Sequence, residues 1–241
     1  MPATLSASGR FGRFRPETEQ LVRSPAISSD AELEALKSVW ASISASAIYP
    51  DNSSYSPFSS SGVYRRLMEH SFTSRLISRF SLALADFQQE SEFTDKAGYF
   101  LSALVAGSRD WRFAIHTSHL SYVPDNIGFF NEKMVEVRGD AGHFVGSDMV
   151  CGAVTVDGDC GIHAGADMSG GTLIIKGDSF FALGINMSGG TITIEGDAGS
   201  SIGNCMSGGT INLEGTFRSI SDMDMMSGGR IFHKGRLIFE K

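Results

Sequence analysis

The chain has 241 residues, of which 41% are hydrophobic and 20% charged, a length and composition ordinary for one large or two modest globular domains. Its formal net charge of −7 argues against a general nucleic-acid binder, which normally has a basic surface, and no apolar run approaches the roughly 18–20 residues of a membrane helix. The three cysteines, Cys151, Cys160 and Cys205, form no CxxC pair, which argues against a disulfide framework or a zinc site and suits a reducing cytoplasm.

The first 28 residues are predicted to be a flexible leader. Residues 1–16 contain Arg10, Arg13 and Arg15 and no acidic residue, and they lack the apolar core of a secretory signal. This composition also suits an organelle transit peptide. We therefore expect a cytoplasmic protein, or an organellar one if residues 1–16 are such a peptide.

Residues 29–131 show no repeat and are predicted to be mainly helical. A first helix is expected after Ser29-Asp30, and a second across Val63–Phe87, because its apolar residues are spaced for one face. The serine-rich segment 53–61 between them is predicted to be a loop. A third helix is expected over Lys96–Ala106. The apolar face of the second helix would comprise Leu67, Phe72, Leu76, Ile77 and Phe80.

After the third helix, the end of this region is predicted to be non-helical. Gly107 is expected to end the third helix, a strand is predicted at Phe113–Ile115, and Pro124-Asp125-Asn126 is typical of a turn. The helical region precedes a repetitive segment, so it is expected to cap that segment at its N-terminal end.

Repeats of 19 residues dominate residues 132–241. A Gly-Asp dipeptide or its relative recurs at this interval, and a Met-Ser-Gly-Gly motif recurs between its copies, with one residue inserted between Gly215 and Met226. The Gly-Asp copies begin at Gly139, Gly158, Gly177, Gly196 and Gly215, and the Met-Ser-Gly-Gly copies begin at Met168, Met187, Met206 and Met226, with a degenerate copy at Met149.

Each repeat contains a short alternation of apolar and polar residues. This period of two predicts a β-strand, and the frequent glycines predict sharp corners rather than helices. Stacked repeats would align five columns of similar residues. Two of these columns are Val154, Leu173, Ile192, Ile211 and Ile231, and Val156, Ile175, Ile194 and Leu213, the second with His233 as its exception. The others are Val145, Ala164, Leu183 and Ile202, the five methionines, and the threonines Thr172, Thr191 and Thr210.

A charged column gives an independent check on this stacking. It alternates in sign at four of its five steps, as expected if neighbouring coils pair in register. Its members are Arg138, Asp157, Lys176, Glu195, Glu214 and Lys234. We therefore predict an α+β chain, with a parallel β-helix of about five coils over 132–241 and a helical cap over 29–131.

The segment from Gly196 to Gly215 resembles the GXGXG repeat family almost position by position. That family includes the C-terminal domain of the glutamate synthase large subunit, one subunit of formylmethanofuran dehydrogenase and the related subunit of bacterial formyltransferase/hydrolase complexes. The resemblance covers residues 135–241 and implies a right-handed parallel β-helix. It also implies partner subunits in an enzyme complex that handles formyl units or glutamate nitrogen.

Several polar residues are candidates for chemistry. The column Asp140, Asp159, Asp178 and Asp197 could bind a hard cation, but we favour an arrangement in which each carboxylate accepts backbone N–H bonds in its own turn. His143 and His163 lie one column apart and are not expected to share a metal. Cys160 and Cys205 are expected in or near inward columns. No phosphate-binding loop is present, and no catalytic, cofactor or metal residue is assigned.

The regular columns favour a non-catalytic scaffold that presents the β-helix to partner proteins. An alternative is an enzyme with a site between the helical region and the first coil, using Asp110, Arg112, His116, His119 and His143. A further alternative is a stand-alone interaction module. Protein partners are expected, with homo-oligomerisation open, and nucleic acid, membrane and cofactor are not expected. The C-terminal apolar run at 237–239 would cover the last coil or dock on a partner.

Overall fold

A computed structural model describes residues 31–44, 67 and 71–241. The predicted leader at 1–28 and the serine-rich loop at 53–61 lie outside the described residues. No helix in the described ranges combines the length and the apolar character that a membrane span requires.

Helices precede the sheet in the described ranges, where Leu67 is also helical. Residues 31–42 form α1, Ser74–Ala83 form α2 with a 3-10 turn at Leu84–Phe87, and Phe93–Gly107 form α3. The single helix expected across Val63–Phe87 is wrong, because residues 71–73 are not helical. Thr73 ends that stretch as an N-cap whose side chain accepts the Leu76 amide at 3.2 Å.

The helices pack around an aromatic centre. Trp40, Phe80 and Phe100 are fully buried, and the Trp40 ring centroid lies 5.9 Å from that of Phe80 and 5.3 Å from that of Phe100. Lys96 is also buried here, with its Nζ 2.8 Å from a Glu90 carboxylate oxygen and 4.1 Å from the Trp40 ring centroid. Its charge is thus compensated by an ion pair and a cation–π contact.

The repeats form a parallel β-solenoid of about six turns. One 8-stranded sheet has the order β1-β2-β3-β4-β6-β8-β9-β10, and the strands β5 and β7 form a second, 2-stranded sheet on another face. The strands of the large sheet are β1 Arg112–His116, β2 Met134–Arg138, β3 Ala153–Val156, β4 Thr172–Ile175, β6 Thr191–Ile194, β8 Ser207–Leu213, β9 Gly228–His233 and β10 Arg236–Glu240. Those of the small sheet are β5 Ser179–Phe181 and β7 Ala198–Ser200.

The register confirms the predicted stacking. Leu173 pairs with Ile192, and Ile192 pairs with Ile211, so equivalent positions of successive coils lie over one another. Both apolar columns read from these strands point inward, and Ile192 and Ile194 have no exposed surface. The threonine column is also aligned, since Thr172 pairs with Thr191 and Thr191 with Thr210.

The sheet begins earlier than the repeat suggested. Strand β1 pairs in parallel with β2, with Phe113 beside Val135 and Ile115 beside Val137. The strand predicted at Phe113–Ile115 is confirmed, and it adds a coil before residue 132. The connection between β1 and β2 lacks both glycine motifs of the repeat, so no periodic pattern marked this coil.

Both ends of the large sheet are covered. Helix α2 packs across β1, where the Ser81 hydroxyl accepts the His116 amide at 2.9 Å. At the other end β10 folds back antiparallel on β9 through a tight turn at Lys234-Gly235, and Phe239 becomes buried. The apolar run at 237–239 therefore folds onto the last coil, which was one of the two expectations for it, although Leu237 stays exposed.

The inserted residue lies in the final coil. Ala198 bridges to Phe217, 19 residues on, Ile202 to Ile220, 18 residues on, and Ile211 pairs with Ile231, 20 residues on. One residue is therefore lost before Ile220 and two are added in the segment after it, which gives the net insertion of one. Met223 and Met225 in that segment are exposed, while Met226 remains fully buried in the methionine column. The insertion thus forms a surface loop without displacing the core.

Candidate functional site

The aspartate column forms a ladder that ties each coil to the next. The Oδ1 atom of Asp140 accepts the backbone N–H of Asp159 at 2.9 Å, and Asp159 accepts that of Asp178 at 2.8 Å. Asp197 ends the ladder by accepting the Thr216 amide, a bond that lowers the pKa of its carboxyl. The carboxylates do bind backbone amides, but in the following coil and not, as expected, in their own turn.

The ladder also explains the glycine before each aspartate. A Cβ added at Gly177 would overlap the Asp159 carboxylate, and one added at Gly158 would overlap that of Asp140. The Gly-Asp dipeptide is therefore one device, in which the glycine of each coil leaves room for the carboxylate of the coil before.

We expect Asp178→Ala to lower the free energy of unfolding by about 1 kcal/mol, because the Asp197 amide loses its acceptor. Asp178→Asn should change stability much less, since its side-chain carbonyl can accept the same N–H. Urea unfolding followed by circular dichroism would measure both. Equal losses in the two variants would contradict a hydrogen-bonding role for this carboxylate.

Beside the ladder lies a groove of about 450 Å³, which we call the acidic groove. Gly142 and Gly161 form its floor, and Phe180, which occupies the same column one coil later, closes one end. The segment 121–125 with the exposed Tyr122 closes the other. The polar side chains that line it include Asp125, Asp140, His143 and Asp159.

A second ladder forms the far side of the groove. The Oδ1 atom of Asp125 accepts the His143 amide at 2.5 Å, and Nδ1 of His143 accepts the Ile162 amide at 3.0 Å. That bond leaves the imidazole N–H on Nε2 when the ring is neutral. The groove thus lies between two rows of side chains that are fixed by backbone bonds.

The five residues of the predicted enzymatic site do not converge. Asp110 accepts the Ser74 amide at the start of α2, which lowers its pKa, and Arg112 is exposed on β1. His116 Nε2 lies 3.1 Å from the Ser78 hydroxyl, and burial lowers its pKa, whereas His119 Nε2 lies 3.0 Å from the Leu82 carbonyl. Of the five, His143 lines the acidic groove.

The remaining metal and thiol candidates also occupy separate places. His163 lies between the Phe144 and Phe181 rings, where burial and the nearby His143 lower its pKa, but Nδ1 of His143 is already occupied by the Ile162 amide. Cys160 is buried, which raises the pKa of its thiol, whereas Cys205 is exposed beside the buried Met206. Among the residues that the structure describes, no three His, Cys, Asp or Glu side chains form a metal-binding group.

The charged column forms ion pairs only in part. Lys176 Nζ lies 2.6 Å from Asp157 in the preceding coil, as the alternation of sign predicts. Arg138 instead binds Glu136 on its own strand at 3.0 Å. Only the Lys176–Asp157 pair joins neighbouring coils, and both exposed pairs contribute little free energy.

One carboxyl outside the groove, that of Asp148, has a raised pKa. Burial, with a smaller contribution from Asp167 in the next coil, raises the pKa of Asp148 to about 6. The folded state therefore favours its protonated form. The stability that this group contributes is complete below pH ~4 and is lost as the pH rises through about 6.

We expect Asp148→Asn to raise the free energy of unfolding at pH 7 by roughly 1 kcal/mol, after allowance for solvent screening of this partly exposed group. At pH 4 it should change stability little. Asparagine suits the left-handed backbone here, since Asn186 occupies the same column with φ 55°. Urea unfolding at both pH values measures the effect. Asp167→Asn removes only the repulsion and should gain less, and an equal gain at both pH values would contradict the assignment.

Three groove residues were not predicted from the sequence: Tyr122, Asp125 and Phe180. The sequence does distinguish Phe180, because a phenylalanine replaces glycine in the column of Gly142, Gly161 and Gly199. Tyr122 and Asp125 lie before the repeats, where no periodic pattern marks them.

Comparison of the chain with protein-family models, curated proteins and solved structures gives no match.

Proposed function

We propose that this chain is a non-catalytic scaffold or assembly subunit that presents its β-solenoid to partner proteins. The observation that supports this most is how the polar side chains of the solenoid are used. In the two ladders they bind backbone amides of the next coil, and the candidate acid-base residues bind separate structural partners. Such a surface offers a rigid, regular face rather than a reaction centre.

The exposed apolar side chains support the same proposal. Phe180 is 67% exposed and Phe181 45% exposed, and both lie on the face that carries the small sheet. Large exposed aromatic side chains that cluster on one face are typical of protein interaction surfaces. By its resemblance to the GXGXG repeat family, the chain would serve a complex that handles formyl units or glutamate nitrogen.

Gentle purification from the native source, with the mass of the intact assembly measured and its subunits identified by mass spectrometry, tests this function. We expect a stable assembly that contains this chain and at least one other polypeptide. Recovery of the chain as a lone monomer would contradict the proposal. Genes for a formyltransferase or glutamate synthase component beside this one would favour a role within an enzyme complex over a stand-alone interaction module.

A further inference from the structure

The acidic groove concentrates negative charge. Asp125, Asp140 and Asp159 all line it, and each uses Oδ1 to accept a backbone amide. None of the ion pairs formed by the described residues includes these three, and none of the described residues that line the groove is lysine or arginine. Three carboxylates side by side, in a chain of net charge −7, attract a cationic ligand.

The two ends of the groove add aromatic surface. Tyr122 at one end is 55% exposed and Phe180 at the other is 67% exposed. Exposed rings beside carboxylates suit a guanidinium group, which can lie on an aromatic face while donating to a carboxylate. An anion would be repelled by the carboxylates of the groove.

The dimensions of the groove fit an extended peptide. Its floor follows the stack of coils from the 121–125 segment through Gly142 and Gly161 to Phe180, or about 14 Å at roughly 4.8 Å per coil. An extended chain covers that length with about four residues and places side chains i and i+2 on one side, about 6.7 Å apart. Two arginines at that spacing would reach carboxylates in adjacent coils, because their long flexible side chains can bridge the difference between about 6.7 Å along the peptide and roughly 4.8 Å between coils.

We infer that the acidic groove binds an extended arginine-containing segment, of the type Arg-x-Arg with a neighbouring aromatic or aliphatic residue, on a partner protein. This inference rests on the proposed scaffold function and names the surface and the partner chemistry. The guanidinium groups pair with Asp140 and Asp159, and the apolar residue packs on Phe180.

Fluorescence anisotropy with two labelled peptides tests the groove. The probes are Gly-Arg-Ala-Arg-Phe-Gly and the matched Gly-Glu-Ala-Glu-Phe-Gly, each titrated with the full chain at about 0.05 M salt. We expect the arginine peptide to bind and the glutamate peptide not to bind. Salt at about 0.5 M should weaken binding several-fold. Equal binding of the two peptides, or none by either, would overturn the inference.

The ladder supplies a matched pair of variants. Asp140→Asn/Asp159→Asn removes two groove charges while each side-chain amide can still accept its backbone N–H. We expect it to weaken peptide binding at least tenfold. Asp178→Asn/Asp197→Asn changes the same ladder outside the groove and should alter binding less than twofold. Equal losses in the two variants would show a non-specific charge effect and overturn the assignment.

The aromatic contribution has its own control. Phe180→Ala is expected to weaken binding about fivefold, whereas Phe181→Ala, on the same strand but against His163, should leave it unchanged. Thermal melts of the variants should coincide with that of the parent, since both rings are exposed. An unchanged affinity in Phe180→Ala would overturn the role of this ring.

Another occupant is the arginine segment of this chain itself. Replacing Arg10, Arg13 and Arg15 by serine in the full chain distinguishes the two occupants. Unchanged peptide affinity supports a partner segment, and a tenfold gain would mean that the chain occupies its own groove and would overturn the inference. The same double variant also separates this inference from the scaffold function. If Asp140→Asn/Asp159→Asn co-purifies with the native partner as fully as the unmodified chain does, the groove assignment fails while the scaffold function stands.

Discussion

Replacing Ile192 by alanine is expected to lower the free energy of unfolding by about 3 kcal/mol. This side chain has no exposed surface and stacks between Leu173 and Ile211 in the inward column. Its Cδ1 atom fills the space over the corner glycines Gly165 and Gly184, so neighbours cannot collapse into the cavity without moving backbone. Urea unfolding monitored by far-ultraviolet circular dichroism measures the loss.

The same strand contains the matched control. Thr191 lies one residue earlier, faces outward and is partly exposed, so Thr191→Ala should cost well under ~1 kcal/mol. The two variants share a strand and a coil, so their difference isolates burial. Similar losses in both would mean that residue 192 does not face a packed interior, and the stacked core would have to be abandoned.

Replacing Gly98 by alanine is expected to destabilise the chain by about 3 kcal/mol, although this exchange within a helix ordinarily stabilises by ~1 kcal/mol. Gly98 lies within α3, and a Cβ there would overlap the carbonyl oxygen of Asp125. The 124–126 segment cannot easily move away, because the Asp125 amide donates to the Thr94 carbonyl at 3.0 Å and the Ser102 hydroxyl donates to the Asn126 carbonyl at 3.0 Å.

A second site on α3 separates this contact from ordinary helix propensity. Ala106 is partly exposed near the end of the helix, and Ala106→Gly should cost up to about 1 kcal/mol. Unfolding in urea compares the two. A stabilising effect of Gly98→Ala would show that helix and segment do not touch. Because Asp125 lines the acidic groove, Gly98→Ala should also weaken binding of the arginine peptide.

Residues within the repeats were predictable because periodicity gives both fold and register. Once Leu173, Ile192 and Ile211 occupy one column, the parallel pairing of β4, β6 and β8 follows, since a slip of one residue would turn the apolar side chains outward. The helices were predicted less well. Thr73 interrupts a continuous apolar pattern, and an N-cap of this kind competes with helix continuation through a single side-chain bond.

The acidic groove shows why a site is harder to predict than the fold around it. Asp140 and Asp159 were visible as a column, but their hydrogen bonds cross to the next coil, which depends on the spacing between coils. Tyr122 and Asp125 reach the groove from a segment that has no repeat and is held by α3. Phe180 differs from its column, and only the folded chain shows what that difference encloses.

The sequence by itself determined the 19-residue coil, the inward columns and the in-register stack, because every coil repeats the same alternation and the same glycines. The tertiary structure decided the extra coil at β1, the covering of the sheet ends by α2 and β10, and the groove beside the aspartate ladder. These features join residues that are distant in sequence and do not repeat. They depend on contacts between secondary-structure elements, and such contacts leave no periodic pattern in the sequence.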